Sequence, residues 1–131
     1  MHFINPPDWK RPSGYANGVI AEGKLFFVAG QIGWDGQQNL VSANFGEQAA
    51  QTLRNIAAVL EAGGAKPENV VRMTWYVTDK QTYNAAAKAI GAAYREVFGT
   101  HYPAMTLVEV ADLLEDGALV EIEATAVIPI G

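Results

Sequence analysis

The chain has 131 residues; half are hydrophobic, 18% are charged and 10% are aromatic, with a net charge of −5. This length and composition fit one core-forming domain over residues 1–131 and exclude a disordered chain. Nine Lys and Arg are scattered without a cluster, which speaks against nucleic-acid binding and against an anionic membrane surface.

Pro6, Pro7 and Pro12 mark residues 1–14 as an irregular N-terminal arm. Gly18-Val19-Ile20-Ala21 reads as a strand, Glu22-Gly23 as a hairpin turn, and Leu25 to Gly30 as the returning strand. Trp34-Asp35-Gly36 is a turn, followed by a polar loop over 37–44 with at most one short strand. From Gly46 to Glu61 the period changes, with Leu53, Ile56, Ala57 and Leu60 on one helical face. Asn44 is the expected N-cap and Gly63-Gly64 the stop. Val70 to Thr78 is β-branched and aromatic, hence a strand. Thr78 or Asp79 then caps a helix over roughly 80–98, ended by Gly99. Strands follow over about 105–111 and 118–128.

The order β-β-(β)-α-β-α-β-β predicts an α/β two-layer sandwich, a mixed sheet with two helices on one face. In the last strand Val120, Ile122, Ala124 and Ala126 point to the helices, and Leu119, Glu121, Glu123 and Thr125 point away. Arg72, Thr74 and Tyr76 form one face of the strand over 70–78. The outward face is expected to carry Met105, Leu107 and Glu109 as well. A face that mixes Tyr, Leu, Met and carboxylates suggests cover by another subunit; the plainer alternative is a partly apolar face left in water.

The absence of cysteine excludes disulfides, thiol catalysis and Cys-ligated metals. No His-x-x-x-His, calcium loop, Gly-x-Ser-x-Gly, P-loop or dinucleotide motif occurs, so neither a metal nor a cofactor is expected. No apolar run approaches the roughly 18–20 residues of a membrane span. The N-terminus lacks a charged start followed by an apolar stretch, and the expectation is a cytoplasmic protein. Glu121 and Glu123 share a strand face about 7 Å apart. They read either as a general acid or base, or as charge partners of Arg72 on the same sheet. Tyr15, Trp34, Trp75, Tyr76 and Tyr102 read as core or interface, and His101 as a solvated loop histidine.

Several strings resemble the RidA/YjgF reactive-intermediate deaminase family. Val28-Ala29-Gly30-Gln31-Ile32-Gly33 is similar to its Gly-Gln-Ile segment, and Gln51-Thr52-Leu53-Arg54-Asn55-Ile56 to its Gln-(Thr/Ser)-Leu-x-Asn helix. Glu61-Ala62-Gly63-Gly64 with Val70 to Thr74, Pro103-Ala104 through Val108-Glu109-Val110, and Val120-Glu121-Ile122-Glu123-Ala124 continue the series. The resemblance runs in order from about Tyr15 to Val127. It implies a chorismate-mutase-like fold and a homotrimer whose sheet faces pack into a central barrel, with ligand clefts between subunits. It further implies cofactor-free hydrolysis of enamines or imines such as 2-iminopropanoate, with release of ammonia.

The family's Pro-Ala-Arg is Pro103-Ala104-Met105 here, so the carboxylate-binding arginine is missing at that position. Its serine is Ala29, and the asparagine of its second helix falls loosely on Gly91. Tyr15, the Gly30 backbone and Glu121 match. On the resemblance Glu121 handles water or protons and the Gly30 N–H holds a developing anion, while Tyr15, Met105, Trp34 and Tyr102 line the pocket. Arg72 or Arg11 are candidates for the lost cation. The expectation is a cofactor-free deaminase of a small metabolite that is inefficient on 2-iminopropanoate. The alternative is a non-catalytic binding or chaperone-like protein on the same scaffold. A ribonuclease activity fits an acidic chain poorly.

Overall fold

The computed structural model describes residues 1–131 as six strands and three α-helices. The strands are β1 (His2–Ile4), β2 (Gly18–Ile20), β3 (Lys24–Gln31), β4 (Val70–Val77), β5 (Ala104–Glu109) and β6 (Val120–Ile128). The helices are α1 (Phe45–Ala62), α2 (Lys80–Ala85) and α3 (Ala87–Phe98), with a 3₁₀ turn at Pro67–Asn69. A four-stranded mixed sheet has the order β3-β6-β4-β5. β6 is antiparallel to both neighbours, whereas β4 and β5 run parallel through the helical crossover that parallel strands require.

The core lies between this sheet and the helices. Val120, Ile122, Ala124 and Ala126 of β6, with Val70, Met73, Trp75 and Val77 of β4, face Leu53, Ile56 and Leu60 of α1. Ile90, Tyr94 and Phe98 of α3 close the layer. Each buried Leu or Ile contributes about 1.5–3 kcal/mol. The chain is the expected α/β two-layer sandwich with helices on one sheet face.

Local chemistry sets the helix ends. Asn44 Oδ1 accepts from the Glu47 N–H at 3.0 Å, the expected N-cap. Gly64 follows the helix end at φ +80°, a left-handed conformation that glycine adopts without a Cβ penalty. Asp79, rather than Thr78, caps α2 by accepting from the Gln81 and Thr82 N–H groups.

Three readings change, and a fourth, the polar loop over 37–44, holds. Residues 1–14 are not wholly irregular, because β1 pairs antiparallel with β2. The β2–β3 hairpin is absent: β2 takes β1 as its partner, and β3 pairs with β6 instead. Loop 37–44 holds only an isolated bridge between Trp34 and Leu40. The helix over 80–98 is two helices, broken at Ala86 (φ −93°, ψ 8°), and nothing in the alanine run 85–87 signals the break.

Candidate active site

Two concavities flank the sheet, one on each face. The first is a cavity of about 530 Å³ between α2, α3 and the β4–β5 edge. Trp75 and Tyr83 meet edge to face with centroids 6.3 Å apart. Tyr94 stacks on Tyr102 at 5.2 Å and on Phe98 at 4.9 Å. Met105 and Leu107 form the strand wall, and Tyr15 closes one end. Tyr15 is positioned through its neighbour: the Ala16 N–H donates to Pro103 O at 3.0 Å, and Ala16 bridges Ala104. No charged side chain lines this cavity.

Partly buried hydrogen bonds brace the cavity walls. The Tyr94 hydroxyl donates to His101 O at 2.6 Å, and burial raises the Tyr94 pKa well above the ordinary tyrosine range. Burial also raises the pKa of Tyr83. His101 is half-buried rather than solvated. Its Nε2 lies 2.6 Å from Val70 O, and its ring meets Phe3 of β1 edge-on. It holds the loop before β5 against the start of β4.

The second concavity lies on the open face of the sheet, lined by Gly30, Tyr76, Glu121, Glu123 and the loop residues Asp112 and Leu113. Here β3 carries a bulge between Val28 and Gln31 opposite β6. The half-buried Glu121 carboxylate lies against Gly30, so that a Cβ at position 30 would overlap it. Glycine at 30 therefore permits a close carboxylate–backbone approach. Glu123 accepts a 2.6 Å hydrogen bond from the Tyr76 hydroxyl, which raises the Tyr76 pKa, with desolvation and the Glu123 and Glu121 charges adding to it. Arg72 lies further along this face, beside Thr74, Glu123 and Thr125.

Strand alternation decides what can meet what. Trp75 lines the cavity and its successor Tyr76 lines the Glu121 concavity. Met105 stands in register with Met73, and Leu107 with Trp75. They share the helix-side face with those residues, which corrects the expected placement of Met105, Leu107 and Glu109 beside Glu121. The candidate residues thus divide. Tyr15, Tyr102 and Met105 come together in the cavity, and Gly30 and Glu121 come together on the opposite face.

Trp34 joins neither group: it is half-buried in the loop after β3, where its carbonyl accepts from Asn55 Nδ2 at 2.9 Å. Asn55 also bonds Ile32 O, so its role is to fix that loop. Arg72 sits on the face away from the cavity, and Arg11 is exposed in the N-terminal stretch and lines neither concavity. Sequence reasoning missed Tyr83 and Tyr94 as cavity walls. The signal was their aromatic spacing on a segment already read as helix. No three His, Asp or Glu side chains converge in a way that could hold a metal, and no helix is long and apolar enough to cross a membrane.

Residues 9–128 match the family model described as Endoribonuclease L-PSP. The chain belongs to the RidA/YjgF family. A RutC family protein of Synechocystis is 37% identical over 131 residues, 98% of each chain. The human 2-iminobutanoate/2-iminopropanoate deaminase is 32% identical over 114 residues, 86% of this chain and 79% of that one. Among solved structures, the Rid-family protein YyfB of Yersinia pestis aligns with a TM-score of 0.86 at 32% identity, over 97% of this chain and 98% of that one. The Escherichia coli YjgF product aligns at 0.68 and 34% identity, over 86% and 87%. In this chain the Glu121 carboxylate lies against Gly30, and Met105 faces the cavity.

Proposed function

We propose that the protein is a cofactor-free imine or enamine hydrolase working as a homotrimer. Family membership and the deaminase names of its relatives support this reaction class. Water adds to the imine carbon, the C–N bond breaks, and the nitrogen leaves as ammonia while the carbon becomes a carbonyl. Glu121 positions the water and carries protons between it and the departing nitrogen. The Gly30 N–H offers a donor to charge developing beside it.

The observation that carries the reading is the division of the candidate residues between two sheet faces. A ligand held by Tyr15, Tyr102 and Met105 is separated from the same chain's Glu121 by the sheet itself. A site using both is complete only when a second copy brings its Gly30–Glu121 face to the cavity. The exposed apolar residues Leu25 and Phe27 lie on that same open face. With Met105 uncharged, a small anionic imine such as 2-iminopropanoate loses a two-pronged contact and is turned over inefficiently.

The test is ammonia release from a panel of imines generated by an amino-acid oxidase, with Glu121→Gln as control. Glutamine keeps size but cannot take a proton. The expected outcome is acceleration of at least one imine by the wild type and a fall of about 10²-fold or more in the variant. No acceleration across the panel, with retained small-molecule binding, establishes the non-catalytic alternative.

A further inference from the structure

The aromatic cavity has no charge of its own, yet a guanidinium lies at its edge. Ala87 and Gly91 of α3 line the cavity, and Arg95 is the next residue on that stripe. Helical side chains lean toward the N-terminus of their helix, which folds Arg95 back over the preceding turn. A Cβ built at Gly91 would lie 3.3 Å from Arg95 Nη1 and 4.0 Å from its Cζ and Nη2. The guanidinium therefore rests over a residue that lines the cavity and has no side chain to push it away. No carboxylate stands three or four residues from Arg95 on its own helix, so no helical ion pair draws it elsewhere.

The cavity interior is apolar and aromatic. About 530 Å³ bounded by Trp75, Tyr83, Tyr94 and Tyr102 is far more room than a methyl group fills. An aromatic ring fits these walls by stacking and edge contacts.

We propose that Arg95 is a specificity-determining residue that binds the substrate carboxylate at the rim over Gly91, and that the substrate is a 2-imino acid with an aromatic side chain lodged in the cavity. The substrate class rests on the hydrolase reading of the same site; the carboxylate contact does not. The positive charge lost at position 105 is supplied from α3, and the strand wall freed of it becomes apolar.

The experiment separates the two ideas by using stable probes as well as substrates. Calorimetric titration of the protein as purified compares 3-phenylpropanoate, its neutral amide and propanoate. The acid is expected to bind, with propanoate about tenfold or more weaker for want of the ring. Arg95→Met is expected to weaken the acid about fivefold or more and to leave the amide unchanged. Arg95→Lys is expected to recover part of the loss. Arg95 also lies in the last turn of α3, where a cation favours the helix dipole. A purely structural role would lower the melting temperature and affect acid and amide alike.

In the ammonia assay, the imine from phenylalanine is expected to exceed that from alanine in kcat/KM, with Arg95→Met raising KM more than it lowers kcat. Failure of 3-phenylpropanoate to bind, equal binding of acid and amide, or wild-type affinity in Arg95→Met overturns the proposal. Arg95-dependent binding without turnover of any imine leaves the carboxylate site standing and removes the hydrolase reading.

Discussion

Glu121 and Gly30 form a unit that a substitution can separate without touching the carboxylate itself. A Cβ at position 30 overlaps the end of the Glu121 side chain, a flexible group that moves at little cost. Gly30→Ala is therefore expected to displace the carboxylate and lower turnover about tenfold or more while the protein stays folded. Activity and melting temperature measured together check this. Unchanged activity would show that the position of the carboxylate is not critical.

Tyr94 gives a prediction of the opposite kind, about stability rather than rate. Burial first, and the neighbouring Tyr102 second, raise its pKa above the unfolded value of about 10. The folded state thus favours the protonated phenol, which donates to His101 O. That stability is fully present below about pH 10 and is lost as the pH rises from there toward the raised folded value. Tyr94→Phe is expected to lose about 1 kcal/mol at neutral pH and to show a shallower decline in alkali. A slope remains because the pKa of Tyr83 is raised too. Urea denaturation at pH 8 and pH 10.5 compares the two proteins.

At the scale of elements, one fully buried glutamine ties α1 to the sheet. Gln48 Nε2 donates to Ser42 O and to Gly117 O, both at 2.9 Å, and its Oε1 accepts from the Leu119 N–H at 2.8 Å. These bonds fix the loop before α1 and the entry to β6 on one side chain. Gln48→Leu keeps the volume and leaves three backbone groups without partners. The expected cost is about 3 kcal/mol or more, read as a lower urea midpoint with an unchanged slope. A loss below about 1 kcal/mol would mean that water replaces the glutamine.

The sequence shows elements best where period and punctuation agree. α1 has a cap, a 3.6-residue apolar stripe and a glycine stop, and its observed ends fall within a residue of those signals. β6 alternates cleanly, so its core face was legible from Val120 to Ala126. β5 was not, because each of its faces mixes apolar and polar residues: Met105 and Leu107 with Glu109 on one, Val108 with Thr106 on the other. Only its parallel register with β4 assigns them. The β2–β3 hairpin misled for a related reason. Glu22-Gly23 is a good turn dipeptide, yet partner choice depends on β1 and β6, which lie far away in sequence. Glu121 was legible from strand parity and resemblance. The aromatic cavity was not, since its walls converge from α2, α3, β4, β5 and the Tyr15 segment.

The molecule as a whole presents an open sheet face that one chain leaves in water. Leu25 is 65% exposed and Phe27 71%, and both sit on β3 opposite the outward residues of β6. Large apolar groups exposed together on one sheet face are more than the scatter expected of a monomer's surface. The proposed assembly through this face would bury them and bring Glu121 toward another chain's cavity. Phe27→Asp places a charge there without entering the core, because Phe27 faces away from the helices. The expected result is loss of the trimer by light scattering at micromolar concentration, with far-UV dichroism retained. Imine turnover is expected to fall with it, although Glu121, Tyr15 and Met105 are unchanged. Recovery of activity on raising the protein concentration would tie the loss to dissociation, whereas full activity in a stable monomer would mean that one chain holds a complete site.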